Sequence, residues 1–241
     1  MTAPTRIMSY NIRKGRGHGF VHRPDRVLQV IAGLSPDIAL LQEADHRLGD
    51  RPAALPRAEI EAETGLVPLQ FGQGAPSLGW HGNTMLLRPD IDVTDIARLD
   101  LPGLEPRGAV MAELALPGGP LRVVGLHLGL LRHSRRRQLT EIITRLAARD
   151  PMPTLIAGDF NEWSDEVGLG RLARAYEILS PGKTFHARRP VASLDRFAFN
   201  DLLHWRDAGV ADDLAARRAS DHLPIWIDVV AGAHGQGRAA R

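Results

Sequence analysis

The sequence predicts one α/β domain, in which helices cover β-sheets. Short apolar segments typical of buried strands recur along most of the 241 residues, with a few helical patterns between them. Apolar residues make up 44% and charged residues 24%, the balance of an ordinary globular chain. No internal linker, repeat or low-complexity block divides the chain. We therefore expect a single domain over residues 1–230 and a disordered tail over residues 231–241.

The composition excludes several kinds of site. The chain has no cysteine, which rules out disulfides, thiolate metal ligands and a cysteine nucleophile. The net charge of +2 neither requires nor excludes a nucleic-acid partner. The N-terminal segment lacks the apolar core of a signal peptide, and no apolar run approaches the roughly 18 residues of a membrane span. We therefore expect a cytoplasmic protein without an integral membrane segment.

The first part of the chain predicts two strands separated by a helix. Residues 5–11 and 38–41 are the strands, and residues 24–34 carry the helical pattern. The glycine-spaced basic loop at residues 13–19 is either a phosphate-binding loop or merely flexible. The second strand runs into Gln42 and Glu43. Burying Glu43 is costly without a cation or another partner, so it either has such a partner or emerges into solvent.

The middle of the chain predicts one short helix and then several strands. The helix covers residues 57–64 and ends at Gly65. The predicted strands are residues 80–87, 91–99, 109–116 and 121–128. The tight connection at residues 117–120 makes the last two strands an antiparallel hairpin. His127 lies in the returning strand, where a lone histidine is more often a hydrogen-bonded core residue than a catalytic one.

The most regular helical pattern starts at His133, with Ser134 as the predicted N-cap. Its apolar stripe consists of Leu139, Ile142, Ile143 and Leu146. Arginines crowd its first turn, at positions 132, 135, 136 and 137. Because the N-terminal end of a helix is itself positive, these arginines either attract an anionic ligand or form a solvated face.

The segment at residues 155–163 is the most informative part of the sequence. A buried apolar run ends at Gly158 and is followed by Asp159 and Asn161, which lie two positions apart. Along an extended chain these two side chains point the same way. A carboxylate there can bind a metal or transfer a proton, and an amide can donate to a phosphate oxygen. The alternative is a strand that ends in an Asx turn.

The last part of the chain predicts a helix and short strands. Residues 165–175 carry the helical pattern. Extended segments are predicted at residues 184–187, 194–199, 201–205 and 223–230. The last of these strands directly follows Ser220, Asp221 and His222.

Polar residues recur at or near strand ends throughout the chain. They are Asn11, Glu43, Asn83, His127, Asp159, Asn161, Asp195, Asp221 and His222. Carboxylates and amides suit a hard cation such as Mg²⁺ or Mn²⁺ better than zinc. Amides, histidines and arginines suit a phosphate group and the charge it develops during transfer.

These residues lie in motifs that resemble those of the endonuclease/exonuclease/phosphatase superfamily, whose members are similar to deoxyribonuclease I. The matching pieces are Ser9-Tyr10-Asn11, Leu41-Gln42-Glu43, Gly82-Asn83, residues 125–128, residues 158–161, residues 194–197 and Ser220-Asp221-His222. They follow the family's order and cover nearly the whole chain. The resemblance implies a four-layer α/β/β/α sandwich of two mixed β-sheets. It also implies a Mg²⁺-dependent phosphoesterase, with Mn²⁺ as a substitute ion.

The resemblance assigns a role to each matched residue. Glu43 would be the main metal ligand, supported by Asn11, and Asp221 would lie near the metal or bind a second ion. His222, oriented by Asp195, would position or activate water or hold the phosphoryl oxygen. The remaining assignments are Asp159 as base for water or acid for the leaving oxygen, His127 and Asn161 as donors to the phosphate, and Asn83 and Arg107 as substrate-binding residues.

The resemblance leaves the substrate open. Arg13 stands where apurinic endonucleases carry an acid, and the chain has no long insertion of the kind used to grip DNA. A nucleic acid is plausible because the arginines at 132–137 can follow a phosphate backbone, and a phospholipid or small phosphate ester is nearly as plausible. We expect a monomer. The alternative function is a catalytically silent member of the same fold that only binds phosphate.

Overall fold

Two six-stranded β-sheets form the centre of the computed structural model, which describes residues 3–17, 21–46, 49–71, 76–164 and 167–230. In spatial order, the first sheet contains β11 (His204–Val210), β12 (Ile225–Val230), β1 (Thr5–Asn11), β2 (Ile38–Gln42), β4 (Thr84–Leu87) and β3 (Val67–Pro68). The second contains β5 (Asp92–Leu101), β6 (Arg107–Leu116), β7 (Gly119–His127), β8 (Thr154–Asp159), β10 (Asp195–Phe199) and β9 (Glu177–Leu179). The α-helices of the described residues are α1 (Pro24–Leu34), α2 (Arg57–Thr64), α3 (Arg132–Ala147) and α4 (Leu214–Ala219).

The sheets pack face to face, and helices cover their outer faces. Alternation along each strand sends neighbouring side chains to opposite faces, so that in β1 Ile7 enters the core between the sheets and Met8 enters the core beneath α1. The second sheet likewise buries Leu126 against Leu139 and Ile142 of α3. The predicted α/β/β/α sandwich is therefore confirmed.

The strand register gathers the predicted site residues at one end of the sandwich. β1 runs parallel to β2 and places Asn11 beside Gln42, the residue before Glu43. β7 runs parallel to β8 and places His127 beside Asp159. β10 runs antiparallel to β8 and begins with Asp195 beside the same Asp159. Both sheets are mixed, and the carboxyl ends of their parallel pairs meet at this edge.

The N-cap prediction for Ser134 is wrong. Helix α3 begins at Arg132 and its cap residue is Leu131, so Ser134 lies inside the first turn. Tertiary contacts stabilise the loop before the helix, because Gln138 accepts a hydrogen bond from the Gly129 backbone at 2.8 Å. Arg135 also donates to the Leu130 carbonyl at 2.5 Å. These contacts hold the preceding loop, and the helix cap lies three residues earlier than predicted.

Several predictions for the last third are wrong. In the described part of the segment at 165–175, only a 3₁₀ turn forms, at Leu172–Arg174, because Gly168 has a φ of 115° that no helix accommodates. Of residues 201–205, only His204 and Trp205 are extended, as the start of β11, and residues 184–187 form only isolated bridges at Phe185. No sequence pattern predicted β3, β9 or α4, which are all short. Residues 231–241 lie outside the described residues.

No helix in the described part of the chain has the length and apolarity needed to cross a membrane.

Candidate functional site

The Asp159 carboxylate is the centre of the polar cluster at this end of the sandwich, and it is 1% exposed. Its Oδ2 accepts a hydrogen bond from Asn11 Nδ2 at 3.0 Å, which links the two sheets directly. The same oxygen lies 3.4 Å from His127 Nε2 and 3.7 Å from His222 Nε2. The structure therefore brings three other predicted site residues, contributed by both sheets, around this one buried carboxylate.

The glycine before Asp159 is required by the backbone. Gly158 has a φ of 153°, and a Cβ on it would lie 1.9 Å from the Leu126 carbonyl oxygen of the neighbouring strand. After Asp159 the chain turns, and the Asn161 backbone donates to Asp159 Oδ1 at 2.9 Å. The Asx turn that was the alternative interpretation of this segment is thus present, and it fixes the carboxylate at the centre of the cluster.

A second carboxylate orients His222. Asp195 is fully buried, and its Oδ2 lies 2.8 Å from His222 Nδ1. The Thr184 hydroxyl donates to the same oxygen at 2.6 Å. His222 Nδ1 is therefore committed to Asp195, which leaves Nε2 directed towards Asp159.

The buried charges change the pKa values of both partners. Burial raises the pKa of Asp159 to about 6, against the lowering effect of His222. Burial lowers the pKa of His222, but the charges of Asp195 and Asp159 outweigh it and raise the pKa to about 10. At neutral pH the imidazole is therefore protonated while Asp159 is mostly ionised. A protonated ring is a hydrogen-bond donor and cannot ligate a metal.

The ligand atoms of Asp159, Asp195 and His222 lie within 4.8 Å of one another, a spacing that a metal ion also requires. His222 Nδ1 is already bonded to Asp195 at 2.8 Å, so only Nε2 of this ring is open to another ligand. The oxygen donors on the other side of Asp159 suit a hard cation better.

The three residues predicted to hold metal lie at the ends of neighbouring segments. Asn11 ends β1, and Glu43 directly follows β2. The Ser220 hydroxyl donates to the Asn11 backbone carbonyl at 2.7 Å, which anchors the segment carrying Asp221 at the same place. Their carboxylate and amide oxygens fit the donor set of Mg²⁺ or Mn²⁺.

Side-chain cations are already paired with these carboxylates. Lys14 forms an ion pair with Glu43, and Arg13 Nε lies 3.2 Å from Asp221 Oδ2. Lys14 and Arg13 thus neutralise the two carboxylates of the predicted metal site. A divalent ion that binds Glu43 would displace Lys14. Lys14 belongs to the glycine-spaced basic loop at residues 13–19, for which the sequence left open phosphate binding or simple flexibility.

Two predicted donors are engaged with the backbone. Asn161 Nδ2 donates to the Leu128 carbonyl at 2.9 Å. Asn83 Nδ2 donates to the Gly108 carbonyl at 2.9 Å, and its Oδ1 is buried without a hydrogen-bond partner among the described residues. Asn83 therefore ties the loop before β4 to the second sheet.

An open cavity lies beside the cluster. Its lining residues are Lys14, Glu43, Asp45, His46, Arg51, His81, Gly82, Glu105, Pro106, Arg107 and His127. The structure thus places Arg107 in a common cavity with Glu43 and His127, where its guanidinium also pairs with Glu105 at 2.7 Å. No sequence pattern pointed to Arg51 or His81, which are brought here by loops.

Arg196 is a second residue whose role the sequence left unassigned. It is 1% exposed, and its guanidinium donates to the carbonyls of Ser193, Glu162 and Ser164 at 2.8–3.0 Å. It therefore clamps the loop after Asp159 to the strand that begins with Asp195. Its place beside Asp195 in the Leu194–Phe197 motif was the available signal.

The model of the Endonuclease/Exonuclease/phosphatase family matches residues 8–222. The chain belongs to this family. Its members are mostly hydrolases of phosphoester bonds and generally depend on a divalent metal.

Similar proteins include one curated relative and several solved structures. The chain is 30% identical to the uncharacterized protein YbhP of Escherichia coli strain K12 over 190 residues, which are 71% of this chain and 72% of YbhP. A protein of unknown function from Enterococcus faecalis V583 superposes with a TM-score of 0.76 at 20% identity, covering 94% of this chain and 100% of that one. A mannosyl-6-phosphatase of Bacteroides thetaiotaomicron superposes with a TM-score of 0.73 at 16% identity, covering 94% and 99%. At these identities the structures establish the fold alone.

Proposed function

We propose that this protein is a Mg²⁺-dependent phosphoesterase that hydrolyses a phosphodiester by in-line attack of water. The observation that carries the proposal is the buried Asp159 carboxylate, contacted by Asn11, His127 and His222 at 3.0–3.7 Å and located between two sheets that also deliver Glu43. This arrangement offers a proton acceptor, cationic donors and oxygen ligands within one cluster, which is what hydrolysis of a phosphate ester needs.

Glu43 and Asn11 would hold the metal, with Asp221 beside them, and Mn²⁺ would substitute for Mg²⁺. A bound divalent cation supplies charge neutralisation for the phosphate and a lowered pKa for an attached water. With Glu43 holding that ion, the Lys14 ammonium would be free to face the substrate. The paired state of Lys14 and Glu43 supports this exchange, because the pair marks a place where the fold requires positive charge.

Asp159 accepts the proton of the attacking water in this mechanism. Its raised pKa, about 6, keeps the carboxylate mostly ionised at neutral pH and yet more basic than an exposed aspartate. His222 is already protonated at that pH, so it acts as a charged donor to a phosphoryl oxygen instead of as a base. Asp195 holds the ring through Nδ1 and keeps Nε2 directed at the reaction site.

The remaining residues bind the phosphate and the rest of the substrate. His127 Nε2 lies beside Asp159 and donates to the phosphate. Asn161 donates to it after its amide turns from Leu128. Arg107 contacts the substrate from the cavity wall, and Asn83 keeps that wall in place through Gly108.

Hydrolysis of a chromogenic phosphodiester, with and without Mg²⁺, tests the proposal. We expect turnover that EDTA abolishes and Mg²⁺ restores. Asp159→Asn should reduce kcat by about 10²–10⁴-fold, since it removes the proton acceptor but keeps the shape of the side chain. Asp92→Asn is the matched control, because Asp92 is exposed at the start of β5 and pairs with Ala115 at the opposite end of the sheet. Full activity of Asp159→Asn would refute the mechanism.

A panel of plasmid DNA, single-stranded oligonucleotides, phospholipids and inositol phosphates identifies the substrate class. Binding of a nucleic acid should weaken steeply as salt rises, whereas binding of a small ester should respond little. Metal-independent phosphate binding with no turnover on the whole panel would instead identify the catalytically silent alternative.

A further inference from the structure

Large apolar side chains are exposed around the start of α3, beside the polar cluster. They are Leu104, Leu130, Leu131, Trp163 and Val167, and their exposed fractions run from 56% for Val167 to 90% for Leu104. Three loops supply them: the β5–β6 connection, the β7–α3 connection and the loop after β8. We call these five side chains the apolar rim. Single exposed apolar residues need no explanation, but a group on adjacent loops marks an interaction surface.

A buried polar network holds these loops against one another. Arg135 Nη2 pairs with Glu162 Oε2 at 2.8 Å, and both side chains are 6% exposed. Arg135 also donates to the Leu130 carbonyl, and the Leu130 backbone donates to Glu105 Oε1 at 3.4 Å. Leu104 directly precedes Glu105, and Trp163 directly follows Glu162. The network therefore fixes the backbone positions of both rim residues. The rim side chains are thus exposed to solvent on loops that a buried ion pair holds in place.

Three arginines surround a cavity beside the rim. Arg132 and Arg136 stand one turn apart on α3, and Arg171 faces them from the loop after β8. The other residues that line this open cavity are Leu139, Val167, Gly168 and Gly170. Within the described residues, the guanidinium groups of Arg132 and Arg136 have no hydrogen bond or ion pair. Val167 belongs both to this arginine-lined cavity and to the apolar rim. The combined surface therefore suits a ligand that has an anionic group next to an apolar part.

We propose that the apolar rim and the arginine cavity form a docking surface for an anionic phospholipid membrane. The arginines bind phosphate-bearing head groups, and the rim enters the boundary between head groups and acyl chains. Four of the five rim side chains are aliphatic, which favours lipid over single-stranded nucleic acid, because bases bind by stacking on aromatic rings. Charge complementarity favours an anionic lipid surface over a neutral one.

The surface adjoins the proposed active site. His127 ends β7 three residues before Leu130, and Trp163 follows Asp159 by four residues and contacts Phe185 at a ring distance of 5.9 Å. Phe185 in turn packs on His222 at 5.0 Å. A membrane bound here would lie next to the opening of the site. Docking itself requires no turnover, so its failure would leave the proposed hydrolysis untouched.

Vesicle co-sedimentation in EDTA tests the docking surface. The full chain is mixed with phosphatidylcholine vesicles that contain about 30% phosphatidylserine, which gives them the negative surface potential of an acidic leaflet. We expect binding to these vesicles, none to pure phosphatidylcholine, and a blue shift of tryptophan fluorescence that Trp163→Phe removes. Leu130→Ser with Leu131→Ser should weaken binding at least about tenfold, and Arg136→Gln about fivefold.

Matched controls lie on the same molecule. Leu202→Ser changes an exposed leucine in the turn after β10, at the opposite end of the sheets, and Arg145→Gln changes an exposed arginine near the end of α3. Neither should alter vesicle binding. Circular dichroism of each variant checks that it is folded.

Three results would overturn the proposal. The first is failure of the folded wild-type protein to bind anionic vesicles. The second is equal binding by the rim variants and the controls. The third is displacement of the protein from vesicles by millimolar inorganic phosphate, or by a single-stranded oligonucleotide whose binding the same variants abolish. Those two competitors would identify a free-phosphate site and a nucleic-acid surface, respectively.

Discussion

Replacing Asp195 with asparagine should uncouple His222 from its charged state. The amide that Asp195→Asn introduces keeps the shape of the buried side chain. It can still accept from the His222 ring and the Thr184 hydroxyl, so the packing is preserved. The negative charge that lies 2.8 Å from His222 Nδ1 is lost. Burial, which lowers the pKa of His222, is then opposed mainly by Asp159.

The size of the effect follows from the geometry. Two unit charges about 4 Å apart interact by about 4 kcal/mol at an effective dielectric constant of about 20. Since about 1.36 kcal/mol corresponds to one pKa unit, the pKa of His222 should fall by about 3. It would drop from about 10 to the region of the ordinary histidine value of 6.5. At pH 8 the variant ring is then neutral, and kcat should fall by about 10²–10⁴-fold.

Two measurements check this prediction. Histidine ring signals are followed by NMR in EDTA between pH 5 and pH 10, with the His222 signal assigned from the spectrum of His222→Gln. Turnover is then compared at pH 8 with saturating Mg²⁺, using Asp207→Asn, an exposed change on β11, as the control. An unchanged His222 pKa in Asp195→Asn, or a kcat within about threefold of wild type, would show that the pair does not set the charge of the ring.

Two further predictions concern stability. Gly158→Ala should destabilise the fold by about 3 kcal/mol or more, because a φ of 153° and an approach of 1.9 Å to the Leu126 carbonyl leave no space for a Cβ. Thermal unfolding should show a clearly lower Tm, whereas Gly170→Ala, with nothing within 4 Å, should unfold like wild type. In EDTA, the raised pKa of His222 contributes stability that is complete below pH 6.5 and is lost as pH rises towards 10. The difference in urea stability between wild type and His222→Gln should therefore shrink from pH 6 to pH 9, and a constant difference would contradict the assigned charge.

The strand ends were the part of the site that the sequence could predict. Apolar runs stop abruptly before Asn11, Glu43 and Asp159, and parallel pairing brings such ends together at one edge. The layer order also follows, because residues 7–11 of β1 are buried on both faces of the sheet, which requires cover on both sides. Local pattern and long-range packing agree at these positions.

Other features depend on contacts that no local pattern encodes. The Lys14–Glu43 pair depends on left-handed backbone at both residues, since their φ values are 56° and 55°. Arg196 is nearly inaccessible only because three carbonyls from two loops accept its hydrogen bonds. The start of α3 was misplaced because Gln138 and Arg135 stabilise the loop before it, a tertiary effect that overrides the N-cap preference of Ser134.

The hydrogen bond from Asn11 to Asp159 spans the seam between the two sheets. Glu43 follows a strand of the first sheet, and Asp159 ends a strand of the second. A ligand that binds both residues would therefore hold the two sheets together. At about a hundred times its dissociation constant, such a ligand adds about 2.7 kcal/mol to the resistance of the whole sandwich to unfolding. Conversely, a substitution between the two sheets should weaken the affinity for this ligand. Gly125 is such a position, because a Cβ there would lie 3.2 Å from Leu40.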